Sequence, residues 1–190
     1  MARIRDWKSM NTMSARLLEE RTGKGVAAWN ERIKRESFAD EDSLRAWLTK
    51  QGVTGYAQSL LVMERFGYPD FFRASGEELI DGQYADRPQL RPIFDAIVEA
   101  VEDLGDVTIQ ARKTYVSLVT PRRTFARVQP TTKDRVDLAL RLEDPRRRPS
   151  GRLRPSRIHP TMQVQISFTS VKDLDSEALR WLRRAYEENR

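Results

Sequence analysis

The hydrophobic pattern of the chain changes its period at Gly105. Before this glycine, apolar residues recur at helical spacing on one face of a segment that begins at Pro88: Leu90, Ile93, Phe94, Ile97, Val98, Val101 and Leu104. After it, apolar and polar residues alternate in short runs, which is typical of strands with one buried face. Helices followed by consecutive strands predict an α+β fold.

Four earlier segments also carry apolar residues at helical spacing: 10–20, 22–33, 39–52 and 55–67. Thr22 is the predicted N-cap of the second of these helices, because its hydroxyl can accept a hydrogen bond from a free backbone N–H. Gly52 and Gly67 are the predicted stops of the next two. These segments predict a bundle of short helices.

The domain boundaries follow from a change in composition after this bundle. Residues 74–87 are polar and rich in turn-forming residues, so we predict a linker there. The linker separates a helical domain at residues 1–73 from a second domain at residues 88–190.

The second domain is predicted to have an α-β(4)-α arrangement with a mostly antiparallel sheet. Its four β-like runs are residues 107–119, 124–130, 134–142 and 161–170. In the third run, Val136, Leu138, Leu140 and Leu142 face one way, and Arg135, Asp137, Ala139 and Arg141 are predicted to face solvent. In the fourth, Met162, Val164, Ile166 and Phe168 alternate with polar residues. The final helix, 173–188, is predicted to bury Leu174, Ala178, Leu179, Leu182 and Tyr186.

Charge is distributed unevenly along the chain. The formal net charge is +6, but residues 76–106 hold 2 Lys/Arg against 9 Asp/Glu, and residues 107–172 hold 15 against 4. The second domain can therefore attract polyanions. The chain has no cysteine, which excludes disulfides, thiol catalysis and cysteine-ligated metals. It also has no apolar run long enough for a signal sequence or a membrane span, so we expect a cytoplasmic protein without membrane partners.

The stretch PRRRPSGRLRPSR, residues 145–157, holds six arginines, three prolines and no acid. Proline resists both helix and central strand, so we predict an extended loop. Guanidinium groups fit phosphate oxygens bidentately, and further arginines flank the loop on the predicted solvent face of the sheet. The predicted phosphate contacts are Arg122, Arg123, Arg127, Arg135, Arg141, Arg146, Arg147, Arg148, Arg152, Arg154 and Arg157. Tyr115 is a candidate for base stacking.

Motifs for catalysis and cofactors are weak. The stretch TGKG at 22–25 lacks the spacing and the preceding strand of a phosphate loop, and the single histidine, His159, has no Gly-x-Ser-x-Gly partner motif. Asp134, Asp137, Glu143 and Asp144 surround one strand, but no Glu-x-Lys follows them in the sheet. We therefore predict no catalytic residue, no metal and no cofactor, and an enzyme is the less favoured interpretation. The stretch QGVTGYA at 51–57 fits either a tight interhelical turn or a backbone phosphate clamp.

Long stretches of the chain resemble an uncharacterised bacterial family. LRAWLTKQGVTGYAQSLLVMERFGYPDFF resembles its helical N-terminal domain of unknown function. IFDAIVEAVEDLGDVTIQARKTYVSLVTPRRTFARVQP, RVDLALRL and SEALRWLRRAYEEN resemble the α/β domain of unknown function often fused to it. Relatives of the second domain occur near restriction and defence proteins, which implies a nucleic-acid context by association only. The resemblance supplies no catalytic residues.

These observations leave three classes of function open. We expect a non-catalytic protein that binds DNA or RNA through phosphates, with no sequence-specific readout implied. The alternatives are an adaptor that binds an acidic protein partner, and a domain with a small-molecule pocket between sheet and helices. The acidic segment 76–106 could also neutralise the basic face within the same chain. The oligomeric state is not indicated.

Overall fold

A computed structural model of the chain describes residues 3–5, 7–72, 74–143 and 151–190, with backbone only for residues 3–5 and 7–10. The chain divides into two compact units. One contains the helices that end before Ser75, and the other contains residues 3–5 together with the chain from Ser75 onward.

The helical unit consists of α1 Trp7–Thr22, α2 Val26–Glu36, α3 Glu41–Lys50 and α4 Gly55–Phe66, followed by a short 3-10 turn at Asp70–Phe72. Its core is built by the predicted helical faces. The largest buried side chains include Leu18, Trp29, Ile33, Leu44, Leu48 and Leu61. Asp40 caps α3 by accepting a hydrogen bond from the Ser43 backbone N–H.

Two local features of this unit differ from or refine the predictions. Thr22 is the last residue of α1, not the N-cap of α2, which is Gly25. The Thr22 hydroxyl instead accepts a hydrogen bond from the Trp29 indole N–H at 3.0 Å and so ties the two helices together. Between α3 and α4, Gly52 has φ +79°, a backbone angle that side chains disfavour, and Val53 is buried.

The sheet unit contains the remaining elements. They are β1 Arg3–Arg5, α5 Gly76–Tyr84, α6 Arg91–Glu102, β2 Thr108–Ala111, β3 Val116–Val119, β4 Thr124–Pro130, β5 Val136–Leu140, β6 Arg154–His159, β7 Met162–Phe168 and α7 Ser176–Asn189, with 3-10 turns at Pro88–Leu90 and Val171–Asp173. None of the helices in the described parts of the chain is long and apolar enough to cross a membrane.

The described strands form one sheet in the order β1-β2-β3-β4-β5-β7-β6. All neighbouring pairs from β2 onward are antiparallel, and β1 pairs with β2 in parallel. The predicted α+β class and mostly antiparallel sheet are confirmed. Residues 107–119, predicted as one run, form β2 and β3 with a turn between them.

Strand β6 lies where an extended loop was predicted over residues 145–157. The part of that stretch within the described residues pairs with β7 from Arg154 onward, with a register shift after Pro155. Its sequence shows no apolar alternation because β6 is an edge strand, where proline is tolerated and side chains stay exposed.

Strand β5 is buried on both faces, although one face was predicted to contact solvent. The alternation itself is as expected, with Leu138 between Val128 and Ile166 on the core face. On the opposite face, however, Asp137 and Ala139 are 1 % and 0 % exposed. Ala139 lies between Arg127 and Gln165 in the sheet register, and a small residue between long side chains is readily covered.

Helix α7 packs against β4 and β5 on the core face. Phe125 and Tyr186 meet edge to face, with ring centroids 5.7 Å apart. The Thr120 hydroxyl donates a hydrogen bond to the backbone carbonyl of Asn189 at 2.7 Å. Ala178, Leu182 and Tyr186 are buried as predicted, but Leu179 is 39 % exposed and lies outside the buried face of the helix.

Helix α5 lies within the segment predicted as a linker. Ser75 and Glu78 form a capping box, in which each side chain accepts a hydrogen bond from the other's backbone N–H. Leu79, Ile80 and Tyr84 are buried, so this stretch belongs to the packed unit. The linker was predicted from the polar residues of this stretch, but a short helix needs only one apolar stripe to pack against its neighbours.

Candidate nucleic-acid interface

The sheet face opposite α7 is lined mainly by polar and cationic side chains. Paired residues across the strands form a row on this face: Gln110, Ser117, Arg127, Ala139, Gln165 and Arg154. A neighbouring row contains Gln129, Asp137 and Ser167. We call this surface the polar sheet face. Its side chains come from strands whose register fixes their spacing.

Arg127 and Arg141 stand next to each other on the polar sheet face. Arg127 pairs with Ala139, and Arg141 follows two residues later, so the two arginines are diagonal neighbours. Neither guanidinium has an ion pair or hydrogen bond among the described residues, and the Nε of each is buried without a partner. Arg127 lies over the Tyr115 ring, 4.4 Å from its centroid. Two adjacent cations thus lack a counter-charge within the described part of the chain.

A cleft of about 560 Å³ opens beside Arg141, and we call it the arginine cleft. Its lining comprises Arg123, Arg141, Leu142, Glu143, Pro160, Thr161 and Gln163. Arg123 is held in place by the Glu143 carboxylate and the Glu188 carbonyl, each at 3.3 Å. The Gln163 side-chain oxygen Oε1 accepts a hydrogen bond from the Leu142 backbone N–H, which orients the side-chain amide. The Arg141 guanidinium and the Gln163 side-chain NH2 group are N–H donors in the lining of this cleft.

Burial and neighbouring like charges lower the pKa of Arg141 and of His159. Burial lowers the pKa of Arg141, and the neighbouring Arg123 and Arg127 lower it further. Burial also lowers the pKa of His159, with additional contributions from Arg127 and Arg141. The Thr161 backbone N–H donates to His159 Nδ1 at 3.2 Å, so a neutral ring carries its proton on Nε2. A bound anion would relieve this repulsion.

A second cleft of about 400 Å³ lies on the polar sheet face, and we call it the amide cleft. Gln129, Thr131, Arg135, Asp137, Pro155, Arg157, Ile158 and Gln165 line it. The Asp137 carboxylate accepts a hydrogen bond from the Ser167 hydroxyl through Oδ1, and the Arg135 Nε lies 3.2 Å from the same oxygen. Asp137 Oδ2 has no partner among the described residues.

The remaining predicted phosphate contacts are placed in different surroundings. Arg122 is exposed in the turn between β3 and β4, and Arg157 is exposed on β6. Arg135 is beside Asp137, and Arg154 donates to the backbone carbonyls of Gly151 and Leu153. Arg146, Arg147 and Arg148 lie outside the described residues.

Arg152 is occupied by contacts within the protein. Its guanidinium donates to the carbonyls of Asp173 and Ser167 and to the Asp175 carboxylate, the last at 3.0 Å. It also lies over the Phe168 ring, 5.6 Å from the centroid. This arginine ties β7 to the start of α7, and we do not include it in the candidate interface.

The carboxylates near β5 are dispersed. The Asp134 carboxylate accepts a hydrogen bond from the Thr132 hydroxyl, Glu143 forms an ion pair with Arg123, and Asp137 lies in the amide cleft. Within the described residues, no group of three or more His, Asp or Glu side chains is arranged to hold a metal ion. Asp144 lies outside those residues.

Sequence reasoning missed the contribution of the glutamines. Gln129, Gln163 and Gln165 lie on the polar sheet face or in its clefts, and each alternates with buried apolar residues. The signal was present in TMQVQISF, where glutamines occupy the polar phase of the strand. Their convergence with Asp137 depends on the pairing of β4, β5 and β7, which local sequence does not encode.

Comparison with known proteins assigns the sheet unit to a family. A family model described as Domain of unknown function (DUF5655) matches residues 80–189, which include α6, strands β2 to β7 and α7. No curated protein and no solved structure matches the chain. The match confirms the resemblance of the second half to a family without an assigned activity. Since it covers more than half of the chain, including every residue lining the two clefts, the chain belongs to the DUF5655 family.

Proposed function

We propose that this chain is a non-catalytic nucleic-acid-binding protein of the bacterial cytoplasm, and that its polar sheet face contacts the phosphates of DNA or RNA. One observation carries the proposal. Arg127 and Arg141 are diagonal neighbours on this face and have no counter-charge among the described residues. Two unpaired guanidinium groups at this spacing are suited to a chain of phosphates.

The surroundings of the arginine pair support phosphate as the ligand. Arg123 and the Gln163 amide add N–H donors in the arginine cleft. Tyr115 lies beside Arg127 and offers an aromatic surface of the kind that stacks bases in single-stranded complexes. The cations on adjacent strands repel each other in the free protein, so binding a polyanion has a favourable electrostatic contribution.

Three acids of the segment 76–106 form ion pairs elsewhere in the described structure. Arg91 pairs with Asp81 and with Asp95, the latter at 2.7 Å, and Asp86 pairs with Arg87. None of these acids contacts Arg127 or Arg141. This favours an external anion over neutralisation within the chain, and it leaves an acidic protein as the competing partner.

The proposal is tested by fluorescence titration of the whole protein with labelled duplex DNA, single-stranded DNA and RNA at about 50 mM and about 300 mM salt. We expect micromolar or tighter binding that weakens steeply with salt. Replacing Arg127 and Arg141 together by Gln should weaken it about tenfold or more and reduce the salt slope by about two phosphate contacts.

A matched control separates this site from net charge. Replacing Arg16 and Arg45 by Gln removes two charges from helix arginines that already pair with Glu20 and Glu41. An equal loss in this control, or no binding to any nucleic acid at low salt, would refute the proposed interface. Binding to polyglutamate without binding to nucleic acid would support the acidic-partner alternative instead.

A further inference from the structure

The amide cleft contains a carboxylate oxygen that lacks a hydrogen-bond partner. Asp137 is 1 % exposed, yet its Oδ2 receives no hydrogen bond from any described residue. Ser167 and Arg135 both approach the other oxygen, Oδ1. A buried acceptor without a donor is costly, and such an atom in a cleft is satisfied when a ligand supplies an N–H group.

The rest of the amide cleft matches a flat, polar-edged ligand. The side-chain amides of Gln129 and Gln165 line it, and neither makes a hydrogen bond to another described residue. Pro155 and Ile158 provide an apolar surface. A volume of about 400 Å³ accommodates a nucleobase, whose faces are apolar and whose edge carries donors and acceptors.

The arginine cleft and the amide cleft are neighbours on the same face. Gln163 lines the first and Gln165 the second, and alternate residues of a strand are roughly 7 Å apart. This separation is comparable to the distance between a phosphate and the base of its own nucleotide. A base enters the amide cleft only when it is unpaired and turned out of its stack.

We propose that the polar sheet face binds single-stranded nucleic acid, with a phosphate in the arginine cleft and an amino-bearing base in the amide cleft, where Asp137 Oδ2 accepts its N–H. This inference rests on the proposed function and adds to it a strand state and a base preference. Cytosine carries an exocyclic amino donor, whereas uracil presents a carbonyl at the same position. The carboxylate attracts the first and repels the second.

The test compares two oligomers that differ at this position. Oligodeoxycytidylate and oligodeoxyuridylate of about ten nucleotides are titrated with the whole protein at neutral pH. We expect the cytosine oligomer to bind about tenfold more tightly. Asp137→Asn has almost the same shape and places an amide at the site, so it should abolish or invert this ratio. Gln165→Ala removes a partly exposed side chain from the lining of the amide cleft. It should weaken binding of the cytosine oligomer, whose base enters the cleft, more than binding of the uracil oligomer, whose base is repelled from it.

The outcomes separate this inference from the proposed function. Equal, salt-dependent binding of both oligomers by the wild type, unchanged in ratio by Asp137→Asn, would overturn the base site and leave phosphate binding intact. No binding of either oligomer would overturn the single-stranded base site, and the proposed function would also be overturned if duplex DNA and RNA failed to bind at low salt. If Asp137→Asn unfolds the protein, the base site is tested by the ratio of cytosine-oligomer to uracil-oligomer affinity in Gln165→Ala. A ratio unchanged from that of the wild type would overturn the base site.

Discussion

Replacing Arg141 by Gln is predicted to make the free protein more stable and the nucleic-acid complex weaker. Arg141 has no counter-charge among the described residues, and its pKa is lowered by burial and by Arg123 and Arg127. Two unit charges at the roughly 7–8 Å expected of diagonal neighbours repel by about 0.5 kcal/mol in water, and by more at a partly buried position. Repulsion by Arg127 at this distance, together with a smaller contribution from Arg123, whose charge is partly offset by Glu143, gives a gain of about 0.5–1 kcal/mol on removing the charge.

The gain is measured as a rise in Tm by calorimetry of the free protein. For a chain of this length it corresponds to about 1–4 °C at low salt. It should shrink as salt is raised, because the Debye length falls to about 3 Å at 1 M. Arg91→Gln removes the same charge from an arginine that pairs with Asp81 and Asp95, so that control should lower the Tm slightly.

A loss of stability in Arg141→Gln of more than about 1 kcal/mol at low salt would refute the reasoning, since it would show that the guanidinium makes favourable native contacts. A gain that did not depend on salt would exclude charge repulsion as its cause. Tighter nucleic-acid binding by the variant would contradict the assignment of Arg141 to the interface.

Three further predictions concern His159, Arg152 and Gly105. Burial and the nearby arginines hold the His159 pKa below its ordinary 6.5, and a bound phosphodiester raises it. Affinity for nucleic acid should therefore increase as pH falls through 6.5, a slope that titrations of His159→Gln should lack. Arg152→Ala should lower the free energy of unfolding in urea by about 1–2 kcal/mol because it removes one part-buried and two solvent-exposed hydrogen bonds, and a cost below about 0.5 kcal/mol would contradict this structural role. Gly105→Ala should lower the Tm through about 1–3 kcal/mol of strain, since φ is +129° and a Cβ would lie 2.5 Å from the Tyr186 hydroxyl; an unchanged Tm would show that this turn relaxes.

Several elements could be predicted from local sequence because the spacing of their apolar residues matches the spacing of their buried residues. Helix α6 buries Ile93, Phe94, Ile97 and Val101, as its 3.6-residue period predicts. Strand β7 alternates buried and partly exposed residues as its two-residue period predicts. In these segments only one face packs against the core, so the spacing of apolar residues is sufficient to predict which side chains are buried.

Other elements were mispredicted because their environment comes from neighbouring strands. Strand β6 lies at a sheet edge, where backbone pairing with β7 holds it in place and an alternation of apolar residues is not needed. Asp137 was expected to face solvent, but the side chains around it on the polar sheet face cover it. Arg152, predicted from sequence as a phosphate contact, forms hydrogen bonds that join β7 to the beginning of α7, and these depend on tertiary structure.

The sequence alone determined the α+β class, the excess of positive charge in the second half and the polar phase of each long strand, because periodicity and charge are local properties. Only the tertiary structure decided which arginines remain without a counter-charge and which polar groups share a cleft. Arg127 comes from β4 and Arg141 from the residue that follows β5, and Gln129, Asp137 and Gln165 come from three strands. Their proximity depends on strand register, which is fixed by long-range pairing and by burial of the opposite sheet face.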